Sequence, residues 1–165
     1  MKKLKFPKAV IFFAVILLLA AYLFYSRPMT IQQRYPMLTL DKCIELRGYY
    51  RIDGQEELTE FTIEPNSADF KLLCEMLYEQ SYRRSVRDVF PKGTRIHASE
   101  PGDFQWVVYF IFEDVVLPDG TIGSGSILNI QCWYGELDIH FGDQSMSCRT
   151  EDQQDWARQV LDVIR

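Results

Sequence analysis

The chain has 165 residues, 47% of them hydrophobic, 25% charged and 14% aromatic, a mixture too apolar for a disordered chain and suited to a sheet-rich core. Its net charge of −5 conceals an asymmetry. Four of the 18 basic residues (Lys2, Lys3, Lys5 and Lys8) stand in the first 25 positions with no acidic residue among them, so the remainder sets 14 basic against 23 acidic residues, a net charge of −9. That balance speaks against nucleic acid as a partner, because a polyanion is repelled by such a surface.

Residues 9–25, AVIFFAVILLLAAYLFY, contain no charge, glycine or proline. As a helix this run measures about 26 Å, slightly short of a hydrocarbon core of ~30 Å. Phe6 and Pro7 can extend it, Lys8 can snorkel, and Tyr22 and Tyr25 stand where an outer aromatic belt belongs. The lysines on the leading side predict a signal anchor in the cell membrane, crossing it once. The basic N-terminus, residues 1–8, is then cytoplasmic and the C-terminal domain lies outside, with the lipid bilayer as a partner through residues 9–25. A cleaved signal peptide is the competing reading. It lacks small residues ahead of a cleavage point, since Tyr22, Leu23, Phe24 and Tyr25 follow Ala20 and Ala21.

Residues 26–37, with Pro28 and Pro36, read as an extended tether, and residues 38–165 as one extracytoplasmic domain. From Lys42 to Tyr50 the pattern alternates: Ile44, Leu46, Gly48 and Tyr50 share one face, Cys43, Glu45 and Arg47 the other. Asp53-Gly54 supplies a tight hairpin turn into a returning strand at 58–64, with Phe61 and Ile63 facing in. A helix follows over 67–79. Asn66 is its expected cap, and Phe70, Leu73, Cys74 and Leu77 form its buried stripe. Residues 81–98 predict one strand and a loop containing Pro91 and Gly93.

Phe104 to Phe112 is almost continuously apolar, as in a central strand covered on both faces. Pro118-Asp119-Gly120 marks the turn after it. Ser126–Trp133 turns Leu128, Ile130 and Cys132 inward, Glu136–Phe141 alternates likewise, and a short strand follows Gly142-Asp143. Thr150 and Gln153 match a capping box for a last helix, with Trp156, Ala157, Val160, Leu161 and Ile164 as its core stripe. The fold class expected is α+β: one N-terminal transmembrane helix, then a mainly antiparallel sheet packed with two amphipathic helices.

The cysteines, Cys43, Cys74, Cys132 and Cys148, allow three pairings. Cys43 points away from the other three in this reading, which disfavours two bridges. Cys132 and Cys148 on strands flanking a common neighbour would stand about 10 Å apart, too far to bond. Buried free thiols are the leading expectation, and a single bridge from Cys74 the alternative.

Two constellations could carry chemistry. Glu136, Asp138 and His140 share one face of a strand at steps of about 7 Å, where they could hold a divalent metal or move protons. Asn129 and Gln131 are their outward neighbours. Arg83, Arg84 and Arg87, with Lys92 and Arg95, form a basic cluster fit for carboxylates or phosphates. Both patterns also arise on ordinary solvated surfaces, which is the preferred reading of each. Ser124, in Gly123-Ser124-Gly125-Ser126, lacks the spacing of a nucleophile elbow, and His97 stands alone. No motif implies a cofactor or a metal. The leading functional expectation is a membrane-anchored binding or sensing module without enzymatic activity, for an envelope protein or a small anionic ligand. The alternatives are a small enzyme using the acidic/His strand face, with or without a metal, and a structural subunit of a membrane complex.

Overall fold

The computed structural model describes residues 8–52, 55, 57–85, 103–116, 120–123 and 125–165. The chain is α+β, with a mostly antiparallel sheet and a few helices. Seven strands make the main sheet: β1 (Cys43–Ile52), β2 (Thr59–Ile63), β3 (Arg83–Arg84), β4 (Phe104–Phe112), β7 (Ser126–Trp133), β8 (Glu136–Phe141) and β9 (Gln144–Arg149). Their spatial order is β2-β1-β4-β7-β8-β9-β3, and every neighbouring pair is antiparallel. Two short strands, β5 (Val115–Val116) and β6 (Ile122–Gly123), pair separately. The Asp53-Gly54 turn, Pro118-Asp119 and most of the loop expected over 81–98 lie outside the described residues.

Period-two alternation decides which face is buried. Across the middle of the sheet, Tyr50, Trp106, Cys132, Leu137 and Cys148 stand in one register row on the core face. One residue along, Tyr49, Val107, Gln131, Asp138 and Ser147 stand in the row on the opposite face. As its composition predicts, β4 is covered on both sides, because Val107 and Ile111 of the opposite face are buried too. Gly48 is required where it is: a Cβ there would run into the Val107 carbonyl and come within 2.9 Å of the Phe61 ring. Tyr134 (φ 48°) and Gly135 (φ 77°) turn β7 into β8 as a two-residue hairpin loop of left-handed residues.

Cys43 corrects the sequence expectation. A bulge between Cys43 and Glu45 shifts the register by one residue, so Cys43 is buried and Ile44 exposed, the reverse of strict alternation. All four cysteines are free and buried. Cys132 and Cys148 oppose Leu137 from its two sides, the flanking arrangement that keeps two sulfurs out of bonding range.

Two amphipathic elements cover the core face. α3 (Ala68–Leu73) runs directly into a π-helical turn at Cys74–Tyr78, burying Phe70, Leu73, Cys74, Leu77 and Tyr78. Its cap is Ser67, whose Oγ accepts the Phe70 N–H at 3.0 Å, and not Asn66, which takes a left-handed conformation (φ 68°). α4 (Gln153–Ile164) buries the expected stripe of Trp156, Ala157, Val160, Leu161 and Ile164. Only half of the expected capping box forms: the Thr150 N–H donates to Gln153 Oε1 at 3.3 Å, while the cap position is Asp152 at φ 46°. Indole N–H groups pin this layer in place. Trp106 donates to the Ala157 carbonyl and Trp156 to the Met76 carbonyl, each at 3.0 Å, and the two rings meet edge-on at 5.8 Å.

Residues 26–37 are not an extended tether. Thr30 caps α2 (Ile31–Arg34) with a reciprocal capping box to Gln33. Ile31, Tyr35 and Leu38 are buried in the core, and Met29 bridges to Tyr82. The Tyr35 ring lies 5.1 Å from that of Phe141. Before this segment stands α1 (Lys8–Tyr25), 18 residues or about 27 Å long. Among the described residues no helix is long and apolar enough to cross a membrane.

Candidate functional site

The strand face singled out in the sequence forms as expected in direction. Glu136, Asp138 and His140 are half-buried on the face of β8 opposite the core, while Leu137, Ile139 and Phe141 point inward. β7 places Gln131 across from Asp138 and Asn129 across from His140. Gln131 Nε2 lies 2.9 Å from His140 Nε2. With the amide as donor, that nitrogen accepts and the imidazole carries its proton on Nδ1. The imidazole is thus tied to a neutral amide. Among the described residues no three His, Cys, Asp or Glu side chains are placed to hold a metal ion, so the metal-assisted version of this site finds no donor set. Nearby, Arg51 donates to the Tyr134 hydroxyl at 3.3 Å. Turned so that its oxygen faces Arg51, the Gln105 amide accepts from the guanidinium at 3.1 and 3.3 Å.

The arginine cluster is divided. β3 pairs with β9, and its two residues face opposite ways: Arg83 is exposed, Arg84 half-buried. Arg87, Lys92, Arg95, His97 and Ser124 lie outside the described residues. Among the described residues, Arg84 shares a cavity lining with two arginines that linear inspection passes over. They are Arg27, just beyond α1, and Arg34, at the end of α2.

The three arginines line a cavity of about 330 Å³ between the end of α1 and the edge of the sheet. Ala21, Phe24 and Tyr25 of α1 form one wall; Ile31, Tyr82 and Met146 belong to the domain. Arg84 lies 4.6 Å over the Tyr25 ring and Arg27 lies 5.0 Å over the Phe24 ring. Among the described residues no Asp or Glu lines the cavity. Arg84 Nε is buried and finds no acceptor among the described residues. Tyr35 stands behind this cluster: burial pushes its phenol up, and the adjacent Arg34 and then Arg84 charges oppose that rise.

The local sequence explains the convergence. The capping box at Thr30 starts a single helical turn, which sends Ile31 into the core and leaves Arg34 at the turn's far end. The Met29–Tyr82 bridge then sets this turn beside β3 and therefore beside Arg84. A Thr-x-x-Gln signal at Thr30–Gln33 is legible in the sequence; the proximity of Arg34 to Arg84 depends on long-range pairing and is not. No protein-family model matches the chain, and neither a curated protein nor a solved structure matches it significantly, so its likeness to others adds nothing to what the side chains themselves display.

Proposed function

We propose that the chain is a membrane-anchored binding module, with α1 in the bilayer, the N-terminus cytoplasmic and the α+β domain outside. The observation that carries this reading is the surface of α1. Twelve large apolar side chains on it, from Val10 to Phe24, are 44–71% exposed. They point in every direction around the helix, so no single stripe could be covered by the domain. Covering one Leu or Phe side chain is worth about 1.5–3 kcal/mol. Twelve left in water would rival the roughly 5–15 kcal/mol that typically holds a whole domain together. Lipid is the solvent in which such a surface costs nothing. The described helix is not by itself long and apolar enough to cross a membrane, and the proposal has Phe6 and Pro7 lengthen the apolar run while local thinning and snorkelling of Lys8 and Arg27 take up the remaining mismatch at modest cost. Lysines at the leading end set the orientation.

A binding role is favoured over catalysis by what the side chains offer. His140 is tied to an amide, and the thiols are buried with raised pKa values where shifts are resolved. The cavity at the anchor offers cations and aromatic rings, groups that hold a ligand without transforming it. Cell fractionation with protease shaving tests the topology. The full-length chain should resist carbonate extraction, and protease added to intact cells should remove the C-terminal domain. A freely soluble full-length chain, or a domain untouched by the protease, refutes the reading.

A further inference from the structure

We propose that the cavity between α1 and the sheet edge is a binding site for a phosphate-bearing anion, gripped by Arg27, Arg34 and Arg84. The ligand's apolar portion rests against Phe24, Ile31 and Met146. The first argument is charge. Beyond residue 25 the chain carries a net charge of −9, so carboxylates are abundant, yet among the described residues none lines this cavity. One ion pair joins Arg47 to Glu45, and none of the three cavity arginines takes part in it. Three cations brought together without a counter-charge repel one another, and a bound anion removes that cost. The buried Nε of Arg84, with no acceptor among the described residues, marks where one oxygen belongs.

Geometry selects the anion. Guanidinium forks bind planar carboxylates and tetrahedral phosphates alike. Three forks around one space offer more donors than a single carboxylate can accept, and a phosphate group presents more oxygens. The walls select an amphiphilic carrier. One wall comes from the end of α1, where Ala21, Phe24 and Tyr25 line the cavity beside the arginines. With α1 in the bilayer, this end stands at headgroup level, so the arginines meet phosphates while acyl chains lie along the anchor. An anionic phospholipid headgroup or a soluble phosphate ester could supply this chemistry. The lipid source rests on the anchor reading above; the charge argument does not.

The full-length chain, reconstituted in nanodiscs of phosphatidylcholine with or without phosphatidylglycerol, separates these sources. Native mass spectrometry should find phosphatidylglycerol retained on the chain after mild delipidation. The double variant Arg34→Gln/Arg84→Gln should retain it at least about tenfold less. Arg158→Gln, on the exposed side of α4, should behave as the unaltered chain. In a parallel arm, glycerol phosphate is added to phosphatidylcholine discs and the thermal midpoint is read. A rise that the double variant abolishes, with no lipid retained, assigns the source to a soluble ester and upholds the site. Equal retention by the double variant and the unaltered chain, or no response to either ligand, overturns the proposal. Arg34→Lys/Arg84→Lys keeps both charges but loses the forks. Its circular dichroism should match the unaltered chain while its retention falls, which distinguishes lost contacts from lost folding. If the chain fails to enter discs, the anchor reading falls, and the glycerol phosphate arm in detergent decides the site with the same variants.

Discussion

Cys43, Cys74 and Cys132 show what burial does to a single thiol. Burial pushes Cys43 up to about 11 and Cys74 and Cys132 up to about 12, with the facing Cys43 adding to the rise at Cys74. The thiolate is the form that oxidises and exchanges, so these sulfurs are protected even on the oxidising side of a membrane. The same shifts fix a pH dependence. Below about pH 7.5 these three thiols are protonated in both folded and unfolded chains, and their contribution to stability is fully present. As pH rises further, the unfolded chain releases its protons while the folded one holds them. Stability therefore falls progressively until the folded values near 11 and 12 are passed. Each thiol contributes on the order of 1 kcal/mol per pH unit in that window. The urea midpoint should thus be nearly level from about pH 6.5 to 7.5 and decline from there to pH 10.5, less steeply for Cys74→Ala/Cys132→Ala. A level midpoint throughout would contradict the burial of these groups.

At the level of elements, the ends of α3 and β1 show where local patterns mislead. Asn66 and Ser67 are both competent caps by residue type, and the backbone decides between them. Asn66 occupies the left-handed region that Asn tolerates, and Ser67, extended at φ −63° and ψ 166°, presents its hydroxyl to Phe70. Ser67→Ala should therefore cost about 1 kcal/mol, whereas Asn66→Gly should cost only a few tenths. Urea denaturation of the two variants reads the difference, and the reverse order would return the cap to Asn66. What was legible here was periodicity: the stripes of α3 and α4, the continuous apolar run of β4, and the alternation of β7 and β8. What was not legible was a one-residue irregularity. The bulge after Cys43 leaves no mark in the pattern Lys42–Tyr50, yet it moves a cysteine from one face of the sheet to the other.

For the molecule as a whole, the boundary between anchor and domain carries most of the remaining information. The proline-bearing stretch 26–37 resembles a linker by composition. Its burial follows from pairing with Tyr82 and packing on Phe141, partners that are distant in sequence. For the same reason the Arg27, Arg34 and Arg84 convergence is invisible in a linear reading, while the acidic/His strand face, being local, was visible. The domain accordingly begins before residue 38. Ile31 and Tyr35 are 1% and 3% exposed and lie within the same core cluster as α3, α4 and the sheet. Removing them deletes about 1.5–3 kcal/mol of burial each and opens the space they fill, against a total of roughly 5–15 kcal/mol for a domain. A chain starting at Arg27 should therefore unfold in one cooperative thermal transition. A chain starting at Leu38 should melt at least about 10 °C lower or fail to fold, with apolar surface at Phe141 and Tyr82 newly exposed to a hydrophobic dye. Equal midpoints would mean that residues 26–37 are dispensable to the core, and the shared wall they build between Arg34, Arg84 and the last turn of α1 would lose its support.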